Sequence, residues 1–299
     1  GFEHGVKLGI GDDAAVLALP QGLQLVAATD TLNAGTHFPD ETSPFDIGYK
    51  CLAVNLSDLA AMGATPYAFL LAMTFPEVKE DWLEDFSITL SEVIEKYQLP
   101  LVGGNLSKGP LSLTVTIMGT VPPGSAIKRS GASVGDDIYV TGTLGDAAQG
   151  LALLRKGQAE GYLVDRYQFP QARLEAGQRL RGLAKSLIDI SDGLVAEIGH
   201  LAEANSLGAE IAAWELPLSK ELVESAGQDS AVRMALFSGD DYELCFTADP
   251  RDSDEIKAVS DSLDLPMTRI GVVTDDGKII IRDTKGKPMR FSGAGYEHF

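Results

Sequence analysis

GIGDDAA, residues 9–15, is the stretch that separates the two main fold hypotheses for this chain. Its first six residues match G-x-G-x-x-A, the fingerprint of a Rossmann fold, in which a strand precedes the glycines and a helix follows them. Here residues 1–8 are glycine-rich and polar, and residues 14–19 have an extended pattern. Asp12 and Asp13 would also face a pyrophosphate without a counter-charge. We therefore reject the Rossmann interpretation and predict an acidic turn.

Three further short segments place an Asp among small, apolar or turn-forming residues. They are ATDTL (residues 28–32), VNLSDLAAMG (residues 54–63) and IDISDGL (residues 188–194). Mg²⁺ takes oxygen ligands, usually one or two carboxylates together with water and substrate phosphates. Aspartates that are distant in the sequence yet set in apolar segments are what a site for several Mg²⁺ ions and a nucleotide requires.

Composition limits the kind of protein and the kind of ligand. The 299 residues suffice for two domains, and 44% apolar with 22% charged residues is typical of a globular protein. The net charge of −19 argues against a nucleic-acid binder, which needs a basic surface. It would also repel phosphorylated ligands, unless bound divalent ions reversed the charge locally. Charge and aspartate segments thus favour the same kind of site.

The chain also lacks the features of membrane, secreted and zinc proteins. No apolar run approaches the roughly 18 residues needed to span a bilayer, and the N-terminus has no secretory profile. Cys51 and Cys245 lie in apolar patterns, which predicts two core residues and no disulfide framework. We therefore expect a cytoplasmic protein.

Strand and helix patterns alternate along the chain, which predicts an α/β or α+β fold. Predicted strands cover residues 23–28, 67–75, 99–102, 111–121, 137–141, 241–247 and 268–273. Predicted helices cover residues 46–62, 79–97, 146–156, 170–184, 191–204 and 253–263. Pro122-Pro123-Gly124 is the best boundary signal, so we predict domains at residues 1–124 and 125–299.

Most of the acidic segments have a plain structural alternative. Thr29-Asp30-Thr31 at a strand end is also typical of a solvated loop. Ser191 or Asp192 is a good N-cap for the helix that follows, and the same helix N-terminus suits phosphate oxygens. Asp58 is harder to explain structurally, because it lies inside a predicted helix on the face of Asn55, where an unpartnered carboxylate is costly. The sequence has no Walker loop, so phosphate binding would depend on glycine-flanked backbone, metal-held carboxylates and Arg129.

Read together and in order, the motifs resemble those of the thiamine-monophosphate kinase family. The matching segments are GIGDDAA, ATDTLNAGTHF, KCLAVNLSDLAAMGATP, LVGGNLSKGPLSLTVTIMG, RSGASVGDDIYVTGTLGDAAQGL, IDISDGL and SGDDYELCF. The resemblance implies a PurM-like α/β (α+β) architecture. In it the sheet of an N-terminal ATP- and Mg²⁺-binding domain pairs in a homodimer, and a C-terminal α/β domain closes over the site. It also implies transfer of a phosphoryl group from ATP to thiamine monophosphate, giving thiamine diphosphate.

The resemblance assigns roles to individual positions of this chain. The implied metal ligands are Asp13, Thr29, Asp30, Asp58, Asn105, Asp189 and Asp192, of which Asp30, Asp58 and Asp192 are expected to be catalytic. The implied nucleotide contacts are Tyr97, Gly104, Asn105, Arg129 and Ser191. The implied substrate contacts are His37 and Asp240. Several Mg²⁺ ions are the expected cofactors, with ATP as co-substrate and K⁺ as a further candidate ion.

The chain departs from the family pattern at several positions. Asn105 stands where many members have Asp, and Asp240 stands where Glu is usual, which shortens the reach to substrate by one methylene. Ala28 replaces a common Ser or Thr. Near the C-terminus Gly293 stands where an aromatic often packs on the substrate, with Tyr296 as a weak substitute. The family usually has a further N-terminal segment, so we expect the sequence to be shortened before residue 1.

Several alternatives remain open at the level of sequence. Aminoimidazole ribonucleotide synthetase and selenophosphate synthetase share the PurM-like fold. The latter usually has a reactive Cys or selenocysteine near its N-terminus, and none precedes Cys51 here. The pairing of IDISDGL with GDDYELCF favours the kinase over the former. A non-catalytic module that binds a nucleotide or thiamine phosphate is a further alternative. For the kinase we expect direct in-line transfer, since an ionised phosphate acceptor needs no strong general base.

Overall fold

The computed structural model describes residues 5–289, which form two compact units. The first unit comprises residues 5–59 and 64–126, and the second comprises residues 60–63 and 127–289. The change between units at residue 126 lies two residues after the Pro122-Pro123-Gly124 turn. Within the described residues, none of the helices combines the length and apolar character that crossing a bilayer requires.

The first unit contains a hairpin, a four-stranded sheet and two helices. Its elements are β1 (Val6–Leu8), β2 (Val16–Leu17), β3 (Gln24–Asn33), α1 (Pro44–Ala61), β4 (Thr65–Phe75), α2 (Glu80–Tyr97), β5 (Leu101–Lys108) and β6 (Ser112–Val121). The strand order in the sheet is β3-β6-β4-β5, with β4 and β5 parallel and the other pairs antiparallel.

The four-stranded sheet has one apolar face, which carries helix α2. Along β6 the alternation predicted from sequence is confirmed, because Leu113, Val115 and Ile117 are fully buried while the residues between them are partly exposed. Phe75, on the matching face of β4, contacts the edge of Trp82 in α2, with ring centroids 6.1 Å apart. The core of this unit therefore lies between this face of the sheet and its helices.

The segment GIGDDAA forms the tip of a small hairpin, which confirms the predicted acidic turn and the absence of a Rossmann motif here. It connects β1 to β2, which pair antiparallel, and no helix follows it. The hairpin packs on the sheet through Val6 and Leu17, next to Ala68 and Met118. Asp13 is consequently held at an exposed turn on the side of the sheet opposite to α2.

The second unit is built on a six-stranded sheet. Its elements are β7 (Asp137–Thr141), α3 (Asp146–Leu154), α4 (Tyr162–Gln168), α5 (Leu174–Arg179), β8 (Ala184–Asp189), α6 (Leu194–Asn205), β9 (Gly208–Ala212), α7 (Lys220–Ala226), α8 (Gln228–Phe237), β10 (Leu244–Ala248), α9 (Ser253–Leu263), β11 (Met267–Thr274) and β12 (Ile279–Arg282). The strand order is β12-β9-β11-β7-β10-β8, and only the β12–β9 pair among these is parallel. The predicted strand at residues 137–141 and the predicted helix at residues 253–263 are confirmed.

The helix predicted at residues 170–184 is wrong over most of its length. Only α5 is helical there, and the missed strand β8 begins at Ala184. β8 forms a ladder with β10 in which Cys245 is paired with Ile188. This tertiary pairing outweighs the local helical spacing, which is a weak preference in comparison.

Three boundaries around the acidic segments also differ from the predictions. Thr29-Asp30-Thr31 is not a loop after a strand, since β3 continues through it in register with β6. Residues 103–105 likewise belong to β5, because they pair with β4. The strand predicted from residue 241 begins only at Leu244. Asp240 and Tyr242 have φ angles of 71° and 50°, in the left-handed region, which is incompatible with a strand.

Both cysteines are core residues, as predicted. Cys51 and Cys245 are completely buried and form no disulfide. Burial raises the pKa of the Cys51 thiol to about 12 and raises the pKa of the Cys245 thiol as well. Neither side chain is therefore a thiolate nucleophile near neutral pH.

The amphipathic packing of α2 gives a stability prediction. Leu90 is buried and Ile88, on the same helix, is 47% exposed. Leu90→Ala should lower the free energy of unfolding by about 3 kcal/mol, whereas Ile88→Ala should lower it by less than about 1 kcal/mol. Urea unfolding followed by circular dichroism measures both. Equal losses would show that α2 has been assigned the wrong buried face.

Candidate functional site

The first unit places three of its predicted metal ligands on the two edge strands of the sheet. Thr29 and Asp30 lie on β3, and Asn105 lies exposed on β5. Residues paired across the four strands form rows that run from one edge of the sheet to the other. One row consists of Asp30, Val115, Leu71 and Gly104, and the next consists of Thr31, Thr114, Ala72 and Asn105. Asp30 and Asn105 are therefore three strand spacings apart, in adjacent rows.

This register separates the two predicted ligands too widely for one ion. Three spacings of about 4.8 Å put their backbones about 14 Å apart. Adjacent rows also point to opposite faces, so Asp30 shares the face of the buried Val115 while Asn105 shares the opposite face with Thr31. Mg²⁺ ligands lie only about 2 Å from the ion. A single copy of the chain therefore does not bring Asp30 and Asn105 to one metal.

Thr29 belongs to a row of threonines on the face that Asn105 shares. Its hydroxyl donates to the carbonyl oxygen of Val115 (2.9 Å) and lies 3.1 Å from the Thr116 hydroxyl. Because the proton of Thr29 is used in this way, its oxygen offers lone pairs, as a metal ligand must.

Helix α1 carries a buried acceptor one turn before Asp58. Asn55 is fully buried, and its Nδ2 donates to the carbonyl oxygen of Cys51 at 2.8 Å. Its Oδ1 is buried and has no hydrogen-bond partner within residues 5–289. Asp58 lies three residues further on the same helix and is partly exposed. An unsatisfied oxygen of this kind is unusual, and it fits a site in which a bound group completes the hydrogen bonding.

His37 is held by the loop that follows β3. Its ring atom Nδ1 accepts a hydrogen bond from the backbone N–H of Asn33 (2.9 Å). The backbone N–H of His37 donates to the carbonyl oxygen of Asn33 (3.0 Å). In the neutral ring the proton is therefore on Nε2, which makes this nitrogen a donor. A donor at this position suits an anionic or carbonyl group of a substrate.

The predicted nucleotide contacts of the first unit have structural roles of their own. A Cβ atom on Gly104 would overlap the carbonyl oxygen of Leu71, so β4 and β5 pair only with glycine at this position. Tyr97 is the last residue of α2, and the Lys96 ammonium lies 4.9 Å from its ring centroid. Asp13, a predicted metal ligand, lies in the hairpin turn, where its backbone N–H donates to the Asp12 carboxylate (2.9 Å).

The second unit brings four predicted site residues together on two adjoining segments. Asp189 is the last residue of β8, and Ser191 and Asp192 follow it in a turn. The backbone N–H of Asp240 donates to the carbonyl oxygen of Ser191 (2.9 Å). The N–H of Tyr242 donates to the carbonyl oxygen of Ile190 (2.9 Å). Segments 189–192 and 240–242 are thus fixed to each other by their backbones.

The predicted N-cap at Ser191 or Asp192 is wrong, and the reason is a missed residue. Helix α6 begins after Gly193 and has no side-chain cap. Instead, Glu197 in its first turn accepts from the Ser191 hydroxyl and from the Asp192 N–H, both at 3.2 Å. Burial raises the pKa of Glu197, against the influence of these hydrogen bonds. An acidic residue in the first turn was the only sequence signal for this contact.

Arg129 is exposed at the start of the second unit. Its carbonyl oxygen accepts from Nδ2 of Asn205 (2.8 Å), whose Oδ1 in turn accepts from the N–H groups of Gly131 and Ala132. Asn205 therefore fixes the backbone on which Arg129 stands. The positive charge of Arg129 also lowers the pKa of Glu197, which indicates that the two side chains interact.

Beneath Asp240 lies a buried group of charged residues that the sequence did not single out. Glu243 accepts from the guanidinium groups of Arg166 and Arg173. Asp241 is fully enclosed, and its Oδ2 accepts from the N–H of Gly145 (2.7 Å) while its Oδ1 has no hydrogen-bond partner among the described residues. The motif GDDYELCF contains both acids, but only burial distinguishes them from Asp240.

The donor set suits Mg²⁺, although the described residues do not form a complete metal centre by themselves. In residues 5–289 no three His, Cys, Asp or Glu side chains are grouped closely enough to bind a metal ion. Mg²⁺ needs only one or two carboxylates when phosphates and water supply the remaining ligands. Each unit therefore offers oxygen ligands for ions that arrive with a phosphorylated ligand: the unsatisfied Asn55 oxygen in the first, and the carboxylates of Asp189 and Asp192 in the second. Gly293 and Tyr296, the doubtful substrate-packing positions, lie outside the described residues.

The burial of Asp241 predicts a pH effect on stability. Desolvation raises its pKa from 3.8 to about 8, although the Gly145 N–H and Arg166 act in the opposite direction. The unfolded chain loses this proton near pH 4 and the folded protein keeps it, so the stability that it contributes at low pH is lost as pH rises towards 8. Asp241→Asn does not titrate, so its stability relative to the parent should increase by about 3 kcal/mol from pH 5.5 to pH 8.

Thermal or urea unfolding at the two pH values tests this prediction. The exposed Asp165→Asn is the matched control in the same unit and should show the same difference from the parent at both pH values. A stability difference for Asp241→Asn that does not change with pH would show that Asp241 is ionised in the folded protein.

Comparison with known proteins identifies the family. Residues 11–121 match the family model "AIR synthase related protein, N-terminal domain", and residues 133–284 match the corresponding C-terminal domain. Thiamine-monophosphate kinase of Escherichia coli K12 is 46% identical over 302 residues, covering 98% of this chain and 92% of the relative.

Two solved structures agree with this. Thiamine-monophosphate kinase from Stenotrophomonas maltophilia K279a is 45% identical with a TM-score of 0.90, covering 96% of this chain and 93% of that one. The structure "AaThiL complexed with AMPPCP and TMP" is 34% identical with a TM-score of 0.82, covering 97% and 92%. The PurM-like two-domain fold predicted from sequence is thereby confirmed. The chain belongs to the thiamine-monophosphate kinase family.

Proposed function

We propose that this enzyme transfers the γ-phosphoryl group of ATP directly to the phosphate of thiamine monophosphate, with the help of several Mg²⁺ ions. The observation that carries the proposal is the convergence of Asp189, Ser191, Asp192 and Asp240 on two hydrogen-bonded segments of one unit. The identity to curated kinases along nearly the whole chain supports it, as does a relative whose structure holds AMPPCP and TMP.

We assign the metal ligands to both units. Asp13, Thr29, Asp30, Asp58 and Asn105 would serve in the first unit, and Asp189 and Asp192 in the second. Bound Mg²⁺ would supply positive charge between the phosphates of donor and acceptor. The protein needs such ions because it has a net charge of −19 and both substrates are anionic.

The remaining roles belong to neutral and cationic groups. Gly104, Tyr97, Arg129 and Ser191 are proposed nucleotide contacts. The Ser191 hydroxyl donates to Glu197, so towards the nucleotide or its metal it presents a lone pair. His37 would donate its Nε2 proton to the substrate, and Asp240 would accept from a donor on the substrate.

No general base is required for this reaction. The acceptor oxygen of a phosphate monoester is already ionised near neutral pH, so the protein has only to align the two phosphates and neutralise charge. Both cysteine thiols are buried with raised pKa values, which agrees with a direct in-line transfer that has no cysteine intermediate.

We also propose that a homodimer completes the metal site. Asp30 and Asn105 lie on opposite edges of one sheet, so in one chain they do not share an ion. The face with the threonine row and Asn105 also carries Leu70, 37% exposed. If the same faces of two copies met, β3 of one copy could approach β5 of the other. The second copy would then bring its Asn105 to the Thr29 of the first copy, at the edge strand that also carries Asp30.

The central test is ADP release with ATP and thiamine monophosphate, with Mg²⁺ and with excess chelator. Turnover should depend on Mg²⁺ and should be absent with thiamine as acceptor. Asp30→Ala and Asp58→Ala should each lower kcat/KM by at least about 100-fold, as expected for loss of a charge-stabilising group. Asp85→Ala, on the exposed side of α2, is the control and should retain normal turnover. Near-normal activity of either site variant would refute the metal assignment.

A mixing experiment tests the shared site. Asp30→Ala and Asn105→Ala should each be strongly impaired as homodimers. In a mixed dimer one site has both substitutions and the other has neither. Random exchange of subunits should therefore restore up to about a quarter of the parent activity. A mixture no more active than its components would show that Asp30 and Asn105 do not meet across two copies.

A further inference from the structure

Glu243 is the centre of a buried ion-pair cluster in the second unit. The Arg173 guanidinium binds its carboxylate with two atoms, Nε to Oε2 at 2.8 Å and Nη2 to Oε1 at 2.6 Å. Nη2 of Arg166 donates to the same Oε1 at 2.9 Å, and the Thr141 hydroxyl donates to Oε2 at 2.7 Å. All lone-pair directions of the carboxylate are thus engaged, which is the condition under which a buried charge is stable.

The same cluster holds the turn after β7 against the segment that carries Asp240. The Thr141 oxygen accepts from the Leu244 N–H at 2.9 Å, and Arg166 donates to the carbonyl oxygen of Thr143 at 3.1 Å. Gly142 has a φ of 60°, and a Cβ atom there would overlap the Glu243 carboxylate. The turn is therefore shaped around this side chain.

The segment held in this way has an unfavourable backbone. Asp240 and Tyr242 both have left-handed φ angles, although neither is glycine. Asp241 and Glu243, which alternate with them, are buried. A non-glycine residue keeps such a conformation only where the surroundings enforce it, and such residues are frequent at functional sites. Here Glu243 is fixed by ion pairs and Asp241 by the N–H of Gly145, while Asp240 remains partly exposed.

We propose that Arg166 and Arg173 are positioning residues for the substrate. By binding Glu243 they keep segment 240–242 in the conformation that presents Asp240, and they act on the reaction only through Asp240. The inference rests on the proposed function, in which Asp240 contacts thiamine monophosphate. A cluster that served stability alone would have no selective effect on this substrate.

A double-mutant cycle between Arg173 and Asp240 tests the inference. Arg173 is chosen because its side chain is 17% exposed, so Arg173→Gln is milder than a change at the fully buried Glu243. Asp240→Asn should raise KM for thiamine monophosphate about tenfold, as for a lost hydrogen bond to a charged group. Arg173→Gln should raise the KM for thiamine monophosphate to within about threefold of the Asp240→Asn value. The KM of the double variant should also lie within about threefold of that of Asp240→Asn. KM for ATP should change less than about twofold in all three variants.

Two further variants serve as controls. Arg173→Lys keeps the charge without the two-atom contact and should have an intermediate KM for thiamine monophosphate. Arg282→Gln removes an arginine–carboxylate pair with Glu210 at the other edge of the same sheet and should leave both KM values unchanged. If Arg173→Gln does not fold, Thr141→Val replaces it in the cycle, since this change removes only the hydroxyl that bridges Glu243 and Leu244.

The outcomes separate the inference from the function on which it rests. If Asp240→Asn raises KM and Arg173→Gln does not, the positioning role is wrong while the substrate contact stands. Effects that multiply to about 100-fold in the double variant, or an equal rise in KM for ATP, would also overturn the positioning role. If Asp240→Asn itself leaves KM unchanged, the proposed substrate contact is wrong and the inference fails with it.

Discussion

The hydrogen-bond register of the four-stranded sheet is the constraint on which the proposed active site depends. A one-residue slip of β3 against β6 would move Asp30 to the other face of the sheet and expose Leu32, so burial of the apolar face fixes the position of the carboxylate. The strand order then decides what Asp30 can meet. Because β3 and β5 are opposite edges, the sheet itself excludes an ion shared by Asp30 and Asn105 of one chain.

The second unit differs, since most of its site residues lie on turns and Asp189 ends a strand. Turns form few of the backbone hydrogen bonds that hold strands in a sheet, so side chains must fix their conformation. Glu197 does this for Ser191 and Asp192, and Glu243 does it for the segment around Asp240. Both are buried acids that contact the segments carrying the partly exposed residues Ser191, Asp192 and Asp240. The position of these site residues thus depends on carboxylates that are themselves buried.

The sequence predicted the parts of this molecule that local pattern determines. Alternation in β6 and helical spacing in α2 are local signals, and both elements formed where expected. The helix prediction for residues 170–184 was wrong because strand β8 depends on its pairing with β10, and the local sequence pattern contains no signal for that pairing. The same limit applies to the site. Motifs indicated Asp240, but the roles of Arg166 and Arg173 depend on a contact made 70 residues or more away in sequence.

Charge explains why neutral and acidic ligands are combined in one site. With a net charge of −19, each additional carboxylate near two phosphorylated substrates is tolerable only while a divalent ion offsets it. Asn105 keeps an oxygen ligand without adding charge, and Thr29 offers a lone pair because its proton is donated to Val115. Thr29, Asp30 and Asn105 are all exposed on the edge strands, and of these three proposed ligands only Asp30 adds a negative charge. The face that two copies would share then carries hydroxyl and amide groups, which repel neither substrate nor partner.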